Sequence, residues 1–188
     1  IAPRFISESK YVSGLTIECA YNPVDESAKR FEKCEKIKCY TGDYEEFLEN
    51  VDAVYIASPN ETHFEYAKKA IEAGKHVLSE KPLSFTKKES EVLYTSAKEK
   101  GLVLMEAVKA AYCPGFQQLI NVAKSGKIGD IVDVEASFTR LADPLSRERT
   151  DAEYGGAFLE FGPSVLVPVI KLMGKDYTSV TFDSIYDG

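Results

Sequence analysis

Five short apolar runs recur at intervals of roughly 25 residues, and a helical pattern follows most of them. The clearest is Ala53-Val54-Tyr55-Ile56-Ala57, near-continuous in apolar side chains and closed by the turn signal Ser58-Pro59-Asn60. Such a run predicts a strand covered on both faces. Residues 15–20, 37–40, 76–79 and 102–106 read as further strands. Between them, residues 25–33, 43–50, 62–73 and 86–100 carry helical spacing. Ala28 and Phe31 face inward from the first of these helices, Phe47 and Leu48 from the second, and Phe64, Ala67, Ala70 and Ile71 from the third. Gly74 and Gly101 read as glycines just past helix ends, and Thr86-x-x-Glu89 as a capping box. A β-α-β-α rhythm of this kind builds a parallel sheet through right-handed crossovers. The predicted fold class is therefore α/β, a doubly wound parallel sheet of Rossmann type.

The pattern changes in the second half. Residues 114–125 form a helix with Phe116, Leu119, Ile120 and Ala123 inward, and a glycine-rich turn follows at 125–130. Residues 131–138 then alternate with period 2, as a half-buried strand does. Residues 142–154 are polar and read as a loop. Residues 155–173 are apolar and helical, although Pro163 and Pro168 should kink or split the helix. Residues 178–186 alternate again. The expectation is a domain change near Gly126. Residues 1–125 would form the parallel-sheet domain and 126–188 the start of an α+β open-sheet domain, with 131–138 paired to 178–186.

Composition narrows the function classes. The 188 residues carry 23 Lys plus Arg against 30 Asp plus Glu, a net charge of −7, which argues against a nucleic-acid partner. Apolar runs such as 165–170 fall far short of the roughly 20 residues that span a bilayer. Cys19, Cys34, Cys39 and Cys113 form no C-x-x-C pair, and only His63 and His76 could join them. They read as reduced thiols in a cytoplasmic protein, with Cys19 in the core and no metal site.

In an open parallel sheet the ligand lies beyond the carboxyl ends of the strands. Those ends are Tyr21 and Asn22; Ala57, Ser58, Pro59 and Asn60; Glu80, Lys81 and Pro82; and residues 107–109. Ser58 followed by Pro59 reads as a helix cap with proline at the first helical position, and Thr62-x-x-Glu65 is an equally good capping box. Either start aims a helix N-terminus at the strand ends, where it favours an anion, and puts His63 in the first turn. His63 is equally a structural residue bonded to backbone. Glu80-Lys81-Pro82 is the strongest local feature. A lysine at a strand end, beside a carboxylate and held by proline, suits acid–base work; elsewhere the same pair is an exposed ion pair of small value.

These residues carry a resemblance. Residues 51–63, VDAVYIASPNETH, and 73–83, AGKHVLSEKPL, resemble the glucose-fructose oxidoreductase, inositol dehydrogenase and rhizopine catabolism family, Gfo/Idh/MocA. The likeness is continuous over about thirty residues, with weaker matches toward both ends of the chain. It implies an NAD(P)-dependent sugar or polyol oxidoreductase with an N-terminal Rossmann domain and a C-terminal α/β domain, cytoplasmic and oligomeric, a dimer or tetramer, through the C-terminal sheet. By that likeness Ala57, Ser58, Pro59, Asn60 and His63 line the nicotinamide-proximal site. Glu80 and Lys81 match a Glu-Lys-Pro whose lysine contacts both the cofactor and the reacting hydroxyl. Tyr21 and Asn22 fall where the adenosine ribose binds. No acidic residue there claims the 2′-OH and no arginine a 2′-phosphate, so NAD and NADP both stay open.

Ile1-Ala2 matches the tail of the family's G-x-G-x-I-A fingerprint. The expectation is thus a chain lacking the first strand and its glycines, and part of the second domain, out of a protein about twice this length. Without the glycine loop it should hold a dinucleotide poorly.

Departures from the family pattern fall in the second half. Ala111-Tyr112-Cys113-Pro114 stands where the family has Arg, an aromatic residue and His-Pro. Gly155-Gly156-Ala157 and Glu160-Phe161-Gly162-Pro163-Ser164 stand where it has Gly-Gly-Gly and Asp-x-Gly-x-His or Tyr. The carboxylate survives as Glu160, but the usual proton donor is Ser164. Lys109, beyond the last predicted strand, is either a solvated loop lysine or shares the proton transfer with Glu160, leaving Ser164 to hydrogen-bond the substrate. Two functions follow: a dehydrogenase with Lys81, Glu160 and Lys109 as its catalytic groups, or a catalytically silent dinucleotide sensor on the same fold.

Overall fold

The computed structural model describes residues 2–24, 37, 39–141 and 143–183. The predicted helix at 25–33, the thiol of Cys34 and residues 184–186 lie outside them. The chain divides into two compact units, Ile1–Ala107 and Val108–Gly188. The change of sequence pattern near Gly126 lies eighteen residues beyond this division. The helices over 109–124 pack with the later helix and so belong to the second unit.

The first unit opens with helix α1, Ala2–Ser9. Strand β1, Cys19–Tyr21, pairs in parallel with β2, Cys39–Thr41, Cys19 opposite Cys39. Helix α2, Tyr44–Glu49, starts where Asp43 accepts hydrogen bonds from the Glu45 and Glu46 amides, and buries Tyr44, Phe47 and Leu48. Strand β3, Ala53–Ile56, helix α3, His63–Glu72, strand β4, His76–Ser79, helix α4, Lys87–Glu99, and strand β5, Leu104–Glu106, complete the alternation. Strands β3, β4 and β5 lie side by side, all parallel. The pairs β2-β1 and β3-β4-β5 are the outer pieces of the doubly wound order 3-2-1-4-5-6. Among the described residues no strand holds the central place.

The expected capping box opens α4: Thr86 accepts from the Glu89 amide while Glu89 accepts from the Thr86 amide. Gly74 and Gly101, with φ of 78° and 66°, end α3 and α4 in the left-handed conformation that glycine alone adopts without strain. One core joins both pieces of sheet: Cys19, Tyr44, Phe47, Val54, Ile56, Ala67, Ile71, Val77, Leu93 and Leu104 pack together. The prediction that β3 is fully covered on both faces is corrected. Val54 and Ile56 are buried, whereas Tyr55 is half-buried on the other face, where the Phe5 ring of α1 stacks on it at 3.9 Å. A tyrosine in this strand, at the edge of the three-stranded sheet, keeps its hydroxyl within reach of a polar partner, and that face is accordingly less sealed.

The second unit contains α5, Lys109–Tyr112, α6, Pro114–Lys124, α7, Arg147–Thr150, and α8, Ala157–Met173. Three expectations are corrected here. The polar stretch 142–154 is not all loop, since it contains α7. Helix α8 runs unbroken through Pro163 and Pro168. Each proline removes one hydrogen-bond donor, but the helix packs against α5, α6 and α7, and packing holds it together. Neither 131–138 nor 178–183 forms a strand. Each instead lays an aromatic ring on α8, Phe138 stacked on Phe161 at 4.8 Å and Phe182 edge-on to Phe158 at 5.6 Å. Alternation supplies the faces of a strand, but a ladder also needs a partner's backbone groups, and no described segment offers them.

Three phenols in the first unit, Tyr21, Tyr44 and Tyr55, hold their protons more tightly than the ordinary value of 10.0, in each case chiefly because burial disfavours the charged form. A folded-state value raised above the unfolded one favours folding while the phenol is protonated and loses that contribution as pH climbs. Stability against urea should therefore stay level up to about pH 10 and fall above it. Tyr44→Phe, followed by circular dichroism, should flatten that alkaline decline; an unchanged decline would contradict it.

Candidate active site at the carboxyl ends of the strands

The register of the three-stranded sheet puts Ile56 beside Ser79 and Ser79 beside Glu106, so β3, β4 and β5 end level. Two further bonds extend the ladder by a rung: the Glu80 amide donates to the Ile56 carbonyl at 2.8 Å and the Ala107 amide to the Ser79 carbonyl at 2.8 Å. The exits at 57–60 and 80–83 therefore emerge together.

The Glu80-Lys81-Pro82 turn, with a cis bond before Pro82, is held from three directions. Tyr55 of β3 donates its hydroxyl to Glu80 Oε1 at 2.6 Å. Glu106 of β5 accepts the Leu83 amide on Oε1 at 2.9 Å. His63 of α3 places Nδ1 2.8 Å from the Pro82 carbonyl oxygen and Nε2 2.9 Å from the Ser58 carbonyl oxygen. That imidazole is only 1 % exposed. It lies between the β3 exit and the β4 exit, the backbone-bonded arrangement of the structural reading.

Helix α3 is not capped as expected. A 3-10 turn, Asn60–Thr62, precedes it, and neither Ser58 nor Thr62 makes a side-chain cap. The Thr62 hydroxyl turns back instead, 2.6 Å from Ser58 Oγ and 2.7 Å from the Pro59 carbonyl. Tyr21 also turns inward. Its ring packs with Tyr44, Phe47 and Tyr66, and its hydroxyl lies 3.1 Å from that of Tyr66. An aromatic ring gains more from burial than from a rim position, so the phenol is engaged in the core. Asn22 closes a turn by accepting the Val24 amide on Oδ1 at 2.9 Å.

Ser58, Asn60, Glu80 and Lys81 are each half-buried, a polar rim at the ends of an apolar sheet. In the second unit Lys109 opens α5 and is exposed, while Glu160 and Ser164 are half-buried and one turn apart on α8, hence on one helix face. Helix α5 packs on α8.

Sequence reasoning missed Tyr55 and Glu106. A polar-tipped aromatic inside an otherwise aliphatic strand, and a carboxylate as the last residue of another, were the available signals. Neither says which partner waits across the sheet.

Comparisons with known proteins show the family. The family described as "Oxidoreductase family, NAD-binding Rossmann fold", Gfo/Idh/MocA, matches residues 1–108, and the chain belongs to it. Among curated relatives, a dTDP-3,4-didehydro-2,6-dideoxy-α-D-glucose 3-reductase of Actinomadura kijaniata is 38% identical over 129 residues, 68% of this chain and 39% of that protein. The scyllo-inositol 2-dehydrogenase (NADP(+)) IolU of Bacillus subtilis (strain 168) is 30% identical over 184 residues, 93% of this chain and 56% of that protein. A crystal structure of KijD10, a 3-ketoreductase from Actinomadura kijaniata in complex with NADP and TDP-benzene, superposes with a TM-score of 0.80 at 31% identity, over 90% of this chain and 53% of that one. The chain thus spans between two fifths and just over half of the curated relatives it matches. No helix among the described residues is long and apolar enough to cross a membrane.

If the imidazole is the tie between the two exits, His63→Ala removes a buried ring and its hydrogen bonding between the Pro82 and Ser58 carbonyls and should cost about 2–5 kcal/mol of unfolding free energy in urea. Tyr55→Phe, which removes one bond to a carboxylate and keeps the ring, should cost about 1–2 kcal/mol. Equal costs for the two variants would contradict this ranking.

Proposed function

We propose that the protein is an NAD(P)-dependent oxidoreductase that moves a hydride between nicotinamide and a carbinol carbon of a sugar or polyol. The observation that carries this reading is the Glu80-Lys81-Pro82 turn, held at the carboxyl end of the parallel sheet by Tyr55, His63 and Glu106. The nicotinamide supplies the two-electron chemistry. The chain's residues do the rest. Ala57, Ser58, Pro59 and Asn60 line one wall of the cofactor site, and Asn22 lies at its adenosine end. Glu80, fixed by Tyr55, sets the turn from which Lys81 reaches the reacting hydroxyl and holds or releases its proton. Glu160 and Ser164, on one face of α8, orient the substrate, and Lys109 of α5 shares the proton transfer with Glu160.

The relatives named above act on a nucleotide-linked deoxysugar and an inositol, which supports a substrate rich in hydroxyl groups. One relative carries NADP(+) in its name and the 3-ketoreductase structure holds NADP, while the chain's own residues admit NAD or NADP. The protein works in the cytoplasm as a dimer or tetramer joined through its second unit, with the first unit serving the cofactor and the second the substrate. The second reading, a silent dinucleotide sensor, draws on one feature: the serine at 164 in place of the usual His or Tyr.

In the full-length protein, Lys81→Ala should lower kcat by about 10²-fold or more, the scale of acid–base catalysis, while the cofactor Kd changes far less. A polyol and keto-sugar panel read by nicotinamide absorbance measures it. Cofactor binding with no turnover of any substrate would favour the sensor. Ser164→Ala should cost at most about tenfold in kcat/KM, the scale of one hydrogen bond, and Lys109→Ala more than that. The reverse order would remove Lys109 from the mechanism.

A further inference from the structure

Cys19 and Cys39 stand directly opposite each other on neighbouring parallel strands, so both side chains leave the same face of the β1–β2 pair. Both are free thiols, Cys19 buried and Cys39 half-buried. Cys19 belongs to the core beside Tyr44 and Phe47, and Cys39 packs on the rim of that core. We propose that this pair is a redox-modifiable site, a cross-strand dithiol that closes to a disulfide by exchange with a small-molecule disulfide of the glutathione class.

Geometry permits the bond and also weakens it. Neighbouring strands lie about 4.7–4.9 Å apart, inside the roughly 4.4–6.8 Å span of Cα separations that disulfides use. The β-carbons of a disulfide sit only about 3.5–4.5 Å apart, however, so the two strands must draw together at this rung. A bond that pulls on its sheet is easily reduced, which is the character of a reversible modification rather than a structural staple.

The order of events follows from access and charge. The Cys19 thiol is pushed up to about 12, first by burial and then by the neighbouring Cys39, so Cys19 is a poor first nucleophile. Cys39, the more accessible, attacks the glutathione disulfide as thiolate. Its sulfur bonds to one glutathione and the other leaves as a thiolate that takes up the proton Cys39 lost. Cys39 then carries no thiolate charge, which removes one cause of the raised Cys19 value. The Cys19 sulfur attacks that of Cys39, and the second glutathione departs with the Cys19 proton. The protein loses two electrons and two protons, and one glutathione disulfide becomes two glutathione thiols.

The test uses the reduced full chain, exposed to oxidised glutathione, quenched with an alkylating agent and mapped by mass spectrometry. A peptide link between Cys19 and Cys39 is expected, reopened by a modest excess of reduced glutathione and unchanged in Cys113→Ser. Cys19→Ser should stop at a persistent glutathione adduct on Cys39, and Cys39→Ser should show no adduct on Cys19. A link that joins Cys34 or Cys113 to either thiol instead, a stable Cys39 adduct with Cys19 reduced in the unmutated chain, or a Cys39 that does not react would each overturn the proposal. The unmutated chain alone decides between these outcomes, so a variant that fails to fold does not obscure the result.

Discussion

Everything at the candidate site depends on the register of three parallel strands. Because Ile56, Ser79 and Glu106 share one rung, three chains leave the sheet at the same level, and segments far apart in sequence are delivered to one edge. A slip of one residue would reverse every side chain in the displaced strand. Tyr55 would then lose Glu80, and the buried Val54 and Ile56 would turn away from α3 and α4. The burial of Val54, Ile56, Val77 and Leu104 therefore fixes where Lys81 stands, although none of those residues is part of the chemistry.

The register delivers the exits, and His63 joins them. An imidazole ring carries two nitrogens on a side chain compact enough to bury. Here it meets carbonyls of two different loops, at Ser58 and Pro82. Glu106 and Tyr55 supply the other two restraints. Positioning at this edge is thus done by groups buried in or beside the sheet, behind a half-buried polar rim of Ser58, Asn60, Glu80 and Lys81. A site that is held from behind loses little mobility when something binds, which is the advantage of preorganisation.

The second unit follows a different logic. Its organising element is α8, whose apolar residues draw α5, α6, α7 and two extended segments onto it. Many large apolar side chains there remain exposed, Val132, Leu141, Leu145 and Phe182 among them, while the first unit's core is sealed around Ile71 and Leu93. Helix α8 passes through its two prolines with Gly162 as its one buried residue and with α5, α6 and α7 against it.

Local chemistry made much of the first unit readable from the sequence. The cap at Thr86, the glycines at 74 and 101, the helix opened by Asp43 and the strand order along the chain all rest on interactions between residues a few positions apart, which a sequence states directly. The Glu80-Lys81-Pro82 turn was legible for the same reason, since a charged pair directly after an apolar strand marks a strand end. What only the tertiary structure decided rests on partners far away in the chain. Tyr21 turned into the core because Tyr44 and Tyr66 wait there. Thr62 gave up its cap for Ser58. Residues 131–138 stayed single because a strand exists only when another backbone completes its hydrogen bonds. Pattern determines which face a side chain prefers; which neighbour fills that face is settled by packing at a distance, and no local rule contains it.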